Sequence, residues 1–213
     1  MIFGKIQYLN LLPFHVFMKH YTRSSQEKQS MQYYKGVPSS INKKFISRKV
    51  DAAFISSISA KKYQNVGLGI IAKKEVLSVL VLPYEKNQKD SASASSNVLA
   101  DVLGLDGEVL IGDKALKHYL AGKAHIDLAK EWNKQYKLPF VFALLCFHKE
   151  KKLYKDIEKK FVKQKVKIPQ YLLLNAAKRT GISAKDILNY LEYISYEVDY
   201  KAKKGLDLFY KLT

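Results

Sequence analysis

The sequence predicts an α/β protein of two lobes with a ligand cleft between them, and three observations carry that prediction. Short apolar runs alternate with helix-period segments through the first half of the chain, the pattern of strands covered by helices. A polar stretch at 86–96, KNQKDSASASS, has linker composition and marks a passage from one lobe to another. A continuous apolar run at 140–147 reads as a buried strand returning the chain to the first lobe. With 213 residues and 47% hydrophobic content, the chain has enough apolar surface for such lobes, which argues against intrinsic disorder.

Strands are expected at 3–8, 32–35, 52–56, 67–71 and 76–82, with helices near 11–20, 39–47 and 57–63 between them. Beyond the linker come a helix at 97–103, a strand at 108–111, a helix from Lys114 closed by Gly122, and a helix around 126–134. After 147 the sequence reads as helical to the end. Tyr154, Ile157 and Phe161 share a helical face, Pro169 suits a first helical turn, and Gly181 suits a helix stop. Ser183 with Asp186 resembles a capping box, opening a helix whose buried face holds Ile187, Leu188, Leu191, Ile194 and Val198. Gly205 is expected to end that helix and 206–212 to form a last one. The larger lobe is thus 1–84 with 147–213, and the smaller is 85–146, including the crossing strand. No period recurs along the chain, which argues against a solenoid.

The balance of 37 basic against 19 acidic residues gives a net charge of +18, which first suggests a nucleic-acid binder. Only Arg23, Arg48 and Arg179 are arginines, however, and base and phosphate readers rely on the bidentate arginine fork. The lysines are spread along the chain and read as a solvated surface that still draws small anions; a polyanion-binding face is the alternative. One cysteine, Cys146, rules out an internal disulfide framework and a cysteine zinc site, and a reducing compartment fits best. The first 21 residues carry Lys5, Asn10, His15 and Lys19 and lack a small-residue cleavage site, so they do not read as a signal peptide. The longest apolar stretches, 76–83 and 141–147, are too short to span a bilayer. A soluble cytoplasmic protein without nucleic-acid or membrane partners is expected.

No Walker loop, GxGxxG, HExxH or GxSxG is present, and no cysteines or histidines pair at metal spacing, which disfavours nucleotide and metal chemistry. His15, His20, His118, His125 and His148 have no partner pattern and read as surface or packing residues. Cys146, inside an apolar run, reads as a buried thiol. Two serine clusters remain. Ser56 and Ser57 follow the strand AAFI, with Ser59 one turn on, and Ser93, Ser95 and Ser96 precede the helix near Asn97. Serine hydroxyls and free N–H groups at the positive end of a helix bind carboxylate or phosphate without arginine. Two such ends across a cleft suit a dianion, although both clusters read equally as N-caps and a flexible linker. Asn10 closes the first strand, where an amide meets a cleft ligand without carrying charge; its alternative is a turn or cap before the helix at 11.

The blocks GKIQYLNLLPF, GVPSSINKKFISRKVDAAFISSISA, KKEVLSVLVL, SASSNVL, VLIGDKAL and IDLAKEWNKQYKLPFVFA occur in that order. Together they resemble the chorismate dehydratases of the futalosine route to menaquinone, from Gly4 to about Phe147 and more weakly in YEVDYKAKKGLDLFYKL. The resemblance implies a type II periplasmic-binding-protein fold in a cytoplasmic carbon–oxygen lyase. Its reaction is loss of water from chorismate to give 3-[(1-carboxyvinyl)oxy]benzoate. By motif, Asn10 and Ser78 are carried over as the catalytic pair, with Ser56, Ser57, Ser93, Ser95, Ser96 and Asp113 binding substrate, and Lys114 beside Asp113 also matching. Ala94 stands where the family's S-R-T-S segment usually has arginine. Family members commonly carry a tryptophan shortly after LPFVFA; this chain reads LLCFHK, leaving Phe147 to cover the ring. The expected partner is a small dicarboxylate, held by a monomer or homodimer with no metal and no organic cofactor. The same fold also serves passive carboxylate receptors and sensor domains.

Overall fold

The computed structural model describes residues 1–23 and 31–213, as an α/β protein with two separate sheets. The larger sheet starts with β1 (Ile2–Ile6), which leads through a 3-10 turn (Leu9–Leu11) into α1 (Leu12–Arg23). Then come β2 (Gln32–Gly36), α2 (Pro38–Ile46), β3 (Ala52–Ser56), the single turn α3 (Ser57–Ala60) and β4 (Asn65–Ala72). The smaller sheet holds β5 (Val79–Leu82), β6 (Glu108–Ile111) and β7 (Ile126–Asp127), with α4 (Ala94–Leu103), α5 (Gly112–Leu120) and α6 (Leu128–Tyr136). The chain returns through β8 (Phe140–Phe147), followed by α7 (Lys151–Lys163), α8 (Gln170–Thr180), α9 (Ala184–Leu191), β9 (Ile194–Glu197) and α10 (Tyr200–Leu212).

The six-stranded order is β2-β1-β3-β8-β4-β9, parallel around β1 and antiparallel from β8 outward; the three-stranded sheet, β6-β5-β7, is antiparallel throughout. Fully buried β3 and nearly fully buried β8 explain their continuous apolar runs, because helices cover both faces at the sheet centre.

The chain passes between sheets twice, after β4 and before β8, and both passages are pinned. The buried Asp127 carboxylate accepts from Val76 N at 3.0 Å and Leu77 N at 2.7 Å. Asn133 Nδ2 donates to Lys73 O at 3.0 Å and to Leu138 O at 3.3 Å, tying one passage to the other. These contacts explain why the strand expected from 76 begins only at Val79: residues 76 and 77 are the crossing, with Leu77 at φ 60°. They also shift the lobes. Val79–Leu82 pairs with β6 and β7, and Phe140–Phe147 pairs with β3 and β4, so the expected boundaries at 84 and 146 put both strands with the wrong sheet.

Two further differences have local causes. The expected helix around 126–134 begins at Leu128, because Ile126–Asp127 is a short strand whose aspartate caps the helix by accepting Lys130 N at 3.0 Å. The helix opened by Ser183 stops at Leu191, so Ile194 and Val198 lie beyond it, and Leu188, expected on its buried face, is exposed. Ile194–Glu197 instead closes the open edge of β4, pairing Ala72 with Ile194 and Leu68 with Glu197. The β-branched and aromatic run ISYEV suits that pleated position. Ser183 itself caps as expected, accepting from Asp186 N at 3.0 Å and donating to Asp186 Oδ2 at 2.6 Å. Ser183→Ala is expected to cost about 1 kcal/mol, measured as a lower thermal unfolding midpoint.

His15 on α1 donates from Nε2 to Ile6 O at 2.7 Å. Burial, reinforced by Lys5 and only partly opposed by the bond to Ile6, lowers its pKa from 6.5 to about 4. The unfolded chain therefore binds this proton near pH 6.5 and the folded chain only near 4, so stability present above 6.5 is lost as pH falls through that window. A loss of about 2 kcal/mol at pH 5 relative to pH 7 is expected from this group. Denaturant titration at the two pH values measures it, and His15→Gln should flatten the dependence.

Candidate functional site

Between the two sheets lies a cavity of about 80 Å³. The larger lobe contributes Tyr8, Asn10, Phe54, Ser56 and Phe142, and the smaller lobe and its crossing contribute Ser78, Ser93, Ser96, Ile111 and Gly112. Among the described residues no carboxylate, imidazole or side-chain cation lines it, so its polarity comes from hydroxyls, one carboxamide and one phenol. Apolar walls with a few converging polar groups are the usual form of a small-molecule site.

Asn10 sits in the 3-10 turn that takes β1 into α1, its carbonyl fixed by Tyr196 OH at 2.7 Å. Its side-chain Oδ1 is buried without a hydrogen-bond partner. A buried unpaired amide oxygen costs folding free energy and needs an explanation, and a ligand donor supplies one. Ser78, at the crossing, shares a 2.7 Å hydrogen bond with the hydroxyl of Tyr190 on α9. Burial pushes the Tyr190 phenol well above its ordinary pKa, although Ser78 and Asn10 pull the other way. The phenol therefore stays protonated and is no base.

Ser93 and Ser96 form the N-terminus of α4. Ser93 Oγ accepts from Ser96 N at 3.2 Å and donates to Ser96 Oγ at 2.7 Å, so the ten-residue helix aims its positive end at the cavity. Ser56 ends β3, accepting from Asn42 Nδ2 at 2.9 Å and donating to Ser59 Oγ at 3.3 Å.

The other expected residues lie elsewhere. Ser57 and Ser95 hold each other at 3.0 Å, and Ser95 Oγ also caps Ile58 N at 3.1 Å. This pair joins the lobes beneath the cavity instead of presenting hydroxyls to it. Because α3 is only four residues long, the pair of facing helix ends expected from the two serine clusters reduces to the single full helix α4. Asp113 accepts from Leu9 N at 3.0 Å and from Arg179 Nη1 at 2.9 Å, so it braces the turn carrying Asn10 from outside. With Lys114 it lines a neighbouring opening. Phe147 does not cover the cavity: it is buried and stacks on Tyr154 at 5.0 Å. Phe142 and Ala143, near the start of the same strand, meet the cavity, and Phe147 lies at the strand's other end.

Tyr190, Asn42, Tyr8 and Phe142 were not anticipated. Asn42 had a signal, a polar residue between Ile41 and Phe45 on the buried face of α2. Tyr8 rests on Gly112, where a Cβ would come within 2.8 Å of its ring, and Gly112 also has φ +66°. Glycine is required there by close approach and backbone conformation together. Among the described residues no three His, Cys, Asp or Glu side chains gather as a metal-holding group.

Two α/β lobes, two crossings and a polar-lined cavity between them define a cleft protein with the type II periplasmic-binding-protein-like fold. Solved structures agree. Protein AF1704 from Archaeoglobus fulgidus superposes with a TM-score of 0.74 at 13% identity, covering 99% of this chain and 95% of that one. The alkanesulfonate-binding protein SsuA from Xanthomonas axonopodis pv. citri gives 0.56 at 10% identity, covering 100% and 92%.

The sequence also matches the family described as menaquinone biosynthesis, over residues 1–104 and 92–213. A chorismate dehydratase from Campylobacter jejuni subsp. jejuni serotype O:23/36 (strain 81-176) is 50% identical over 99% of this chain and 96% of its own length. The chain belongs to this menaquinone-biosynthesis family. Among the described residues no helix is long and apolar enough to cross a membrane.

Proposed function

We propose that the protein is a cytoplasmic chorismate dehydratase, a carbon–oxygen lyase that converts chorismate into 3-[(1-carboxyvinyl)oxy]benzoate and water. The observation that carries the reading is full-length identity of 50% to a chorismate dehydratase. An uncharged, hydroxyl-lined cavity at the N-terminus of α4 suits a small dicarboxylate and supports it.

The C3 proton of chorismate is vinylogous to the ring carboxylate, so its removal spreads charge into that carboxylate. Electrons then return through the ring and expel the C4 hydroxyl, leaving a benzene ring. Aromatisation makes the sequence downhill, so the protein's task is to position the substrate and stabilise developing charge. The Ser93–Ser96 end of α4 takes the ring carboxylate as enolate-like charge grows there. The free Oδ1 of Asn10 accepts from the C4 hydroxyl, and the Ser78–Tyr190 pair orients the enolpyruvyl group and leaving oxygen. Tyr190 is held neutral, so the substrate's enolpyruvyl carboxylate serves as the base. The proton it takes from C3 leaves with the C4 oxygen as water, and no external acid or base is consumed.

Purified protein incubated with chorismate and no added cofactor should give a product lighter by one water, identified by chromatography and mass spectrometry. Chorismate that binds but stays intact would instead make the chain a carboxylate receptor or sensor.

A further inference from the structure

A second cavity, of about 400 Å³, opens between the end of β1, α1 and α8, and Tyr8 lines both it and the cleft. Its polar wall holds Lys5, Lys19 and Arg179, and among the described residues no aspartate or glutamate lines it. Each cation is positioned. Lys5 lies 5.7 Å from the Tyr33 ring centre, Lys19 donates to Tyr171 OH at 2.9 Å, and Arg179 grips Asp113 at 2.9 Å. Burial and the neighbouring charges of Lys35 and Lys19 disfavour the charged form of Lys5, so this cluster costs folding free energy as it stands. Leu12, Val16 and Ala176 add apolar lining beside them.

His15 adds an independent observation. It lines the same cavity, its Nε2 is committed to Ile6 O at 2.7 Å, and its Nδ1 is shielded from solvent with no partner. The bond to Ile6 requires the proton on Nε2, which leaves Nδ1 as a vacant acceptor. Two lysines that no carboxylate among the described lining residues faces, apolar lining beside them and a vacant acceptor together describe one kind of ligand.

From these observations we infer that this cavity is a second binding site, for a small organic anion that carries a hydroxyl group on an apolar body. Lys5, Lys19 and Arg179 take its carboxylate or phosphate, and His15 Nδ1 accepts from its hydroxyl. The site also communicates with the cleft. Arg179 holds Asp113, and Asp113 accepts from Leu9 N, next to Asn10, at 3.0 Å. An anion drawing on Arg179 loosens that brace and slows the cleft reaction; this second part rests on the dehydratase reading.

Calorimetric titration with 4-hydroxybenzoate, and separately with inorganic phosphate, tests the site without chorismate. Binding of 4-hydroxybenzoate is expected, weakened about tenfold or more in Lys5→Gln/Lys19→Gln, whose fold is checked by its thermal midpoint. Phosphate is expected to bind more weakly, through the same lysines. Benzoate, lacking the hydroxyl, should bind less tightly than 4-hydroxybenzoate. No binding of either probe, or binding unaffected by the double substitution, overturns the site; the latter outcome would put the probe in the cleft. Equal affinity for benzoate and 4-hydroxybenzoate overturns the role of His15. In the dehydration assay at saturating chorismate, 4-hydroxybenzoate should lower turnover of the parent chain and leave the double variant unaffected. Binding without an effect on turnover overturns the coupling alone. A chain inactive on chorismate refutes the dehydratase reading, while the calorimetric result stands by itself.

Discussion

Asn10→Ala should turn over chorismate about a hundredfold more slowly than the parent chain, with little change in thermal midpoint. The two halves of that expectation come from one observation. Asn10 Oδ1 is buried and unpaired, so that oxygen contributes little to stability and is available to the substrate. Ser78→Ala should lose activity to a similar extent but also lose about 1–3 kcal/mol of stability, because it takes the 2.7 Å partner from the buried Tyr190 hydroxyl. Adding Tyr190→Phe to Ser78→Ala removes that hydroxyl and should restore much of the stability without restoring turnover. Steady-state kinetics beside thermal unfolding of the three variants separates these effects. An Asn10→Ala protein with full activity would refute the site assignment, and one that loses stability as well would give Asn10 a structural role.

The early strands and the serine-capped α4 were legible because their signals are local. Apolar runs bounded by turns mark β1, β3 and β8, and Ser93 lies one turn before the buried residues of its helix. Asn10, Ser56 and Ser78 were legible as motif positions and do line the cavity. What escaped depends on contacts distant in sequence. Ser57 and Ser95 are 38 residues apart, and nothing in either serine cluster says that their hydroxyls meet each other. Tyr190 bonds a partner 112 residues away and reads locally as one more apolar residue of an amphipathic helix. The lobe assignment of β5 and β8 likewise follows from strand pairing, and each apolar run suits either sheet. Phe147 stands apart for a simpler reason: it ends β8, four and five residues beyond the cavity-lining Ala143 and Phe142, a distance along the strand that likeness to a tryptophan-bearing block does not register.

Gly205→Ala should be among the most destabilising single-methyl additions in the chain, at about 3 kcal/mol or more. Gly205 was expected to end a helix, yet it lies inside α10, where glycine is normally unfavourable relative to alanine. Close approach explains it: a Cβ at 205 would overlap the carbonyl oxygen of Pro139 and lie 3.5 Å from Leu138 Cβ. That segment cannot readily yield, since Leu138 O is bonded to Asn133 at 3.3 Å and β8 begins one residue after Pro139. Nor can α10 move away freely, because Phe209 packs against Phe140 at 4.9 Å and Trp132 at 6.2 Å. Gly104→Ala provides the contrast. Gly104 closes α4 at φ +63°, but nothing lies within 4 Å of its added Cβ, so only backbone strain opposes the change, at about 1 kcal/mol. A rule based on positive φ alone ranks Gly104 as the more sensitive position, whereas the packing of α10 against the returning crossing ranks Gly205 far above it. Denaturant midpoints of the two variants decide between these rankings, and equal losses would mean that the α10–Pro139 contact relaxes without cost.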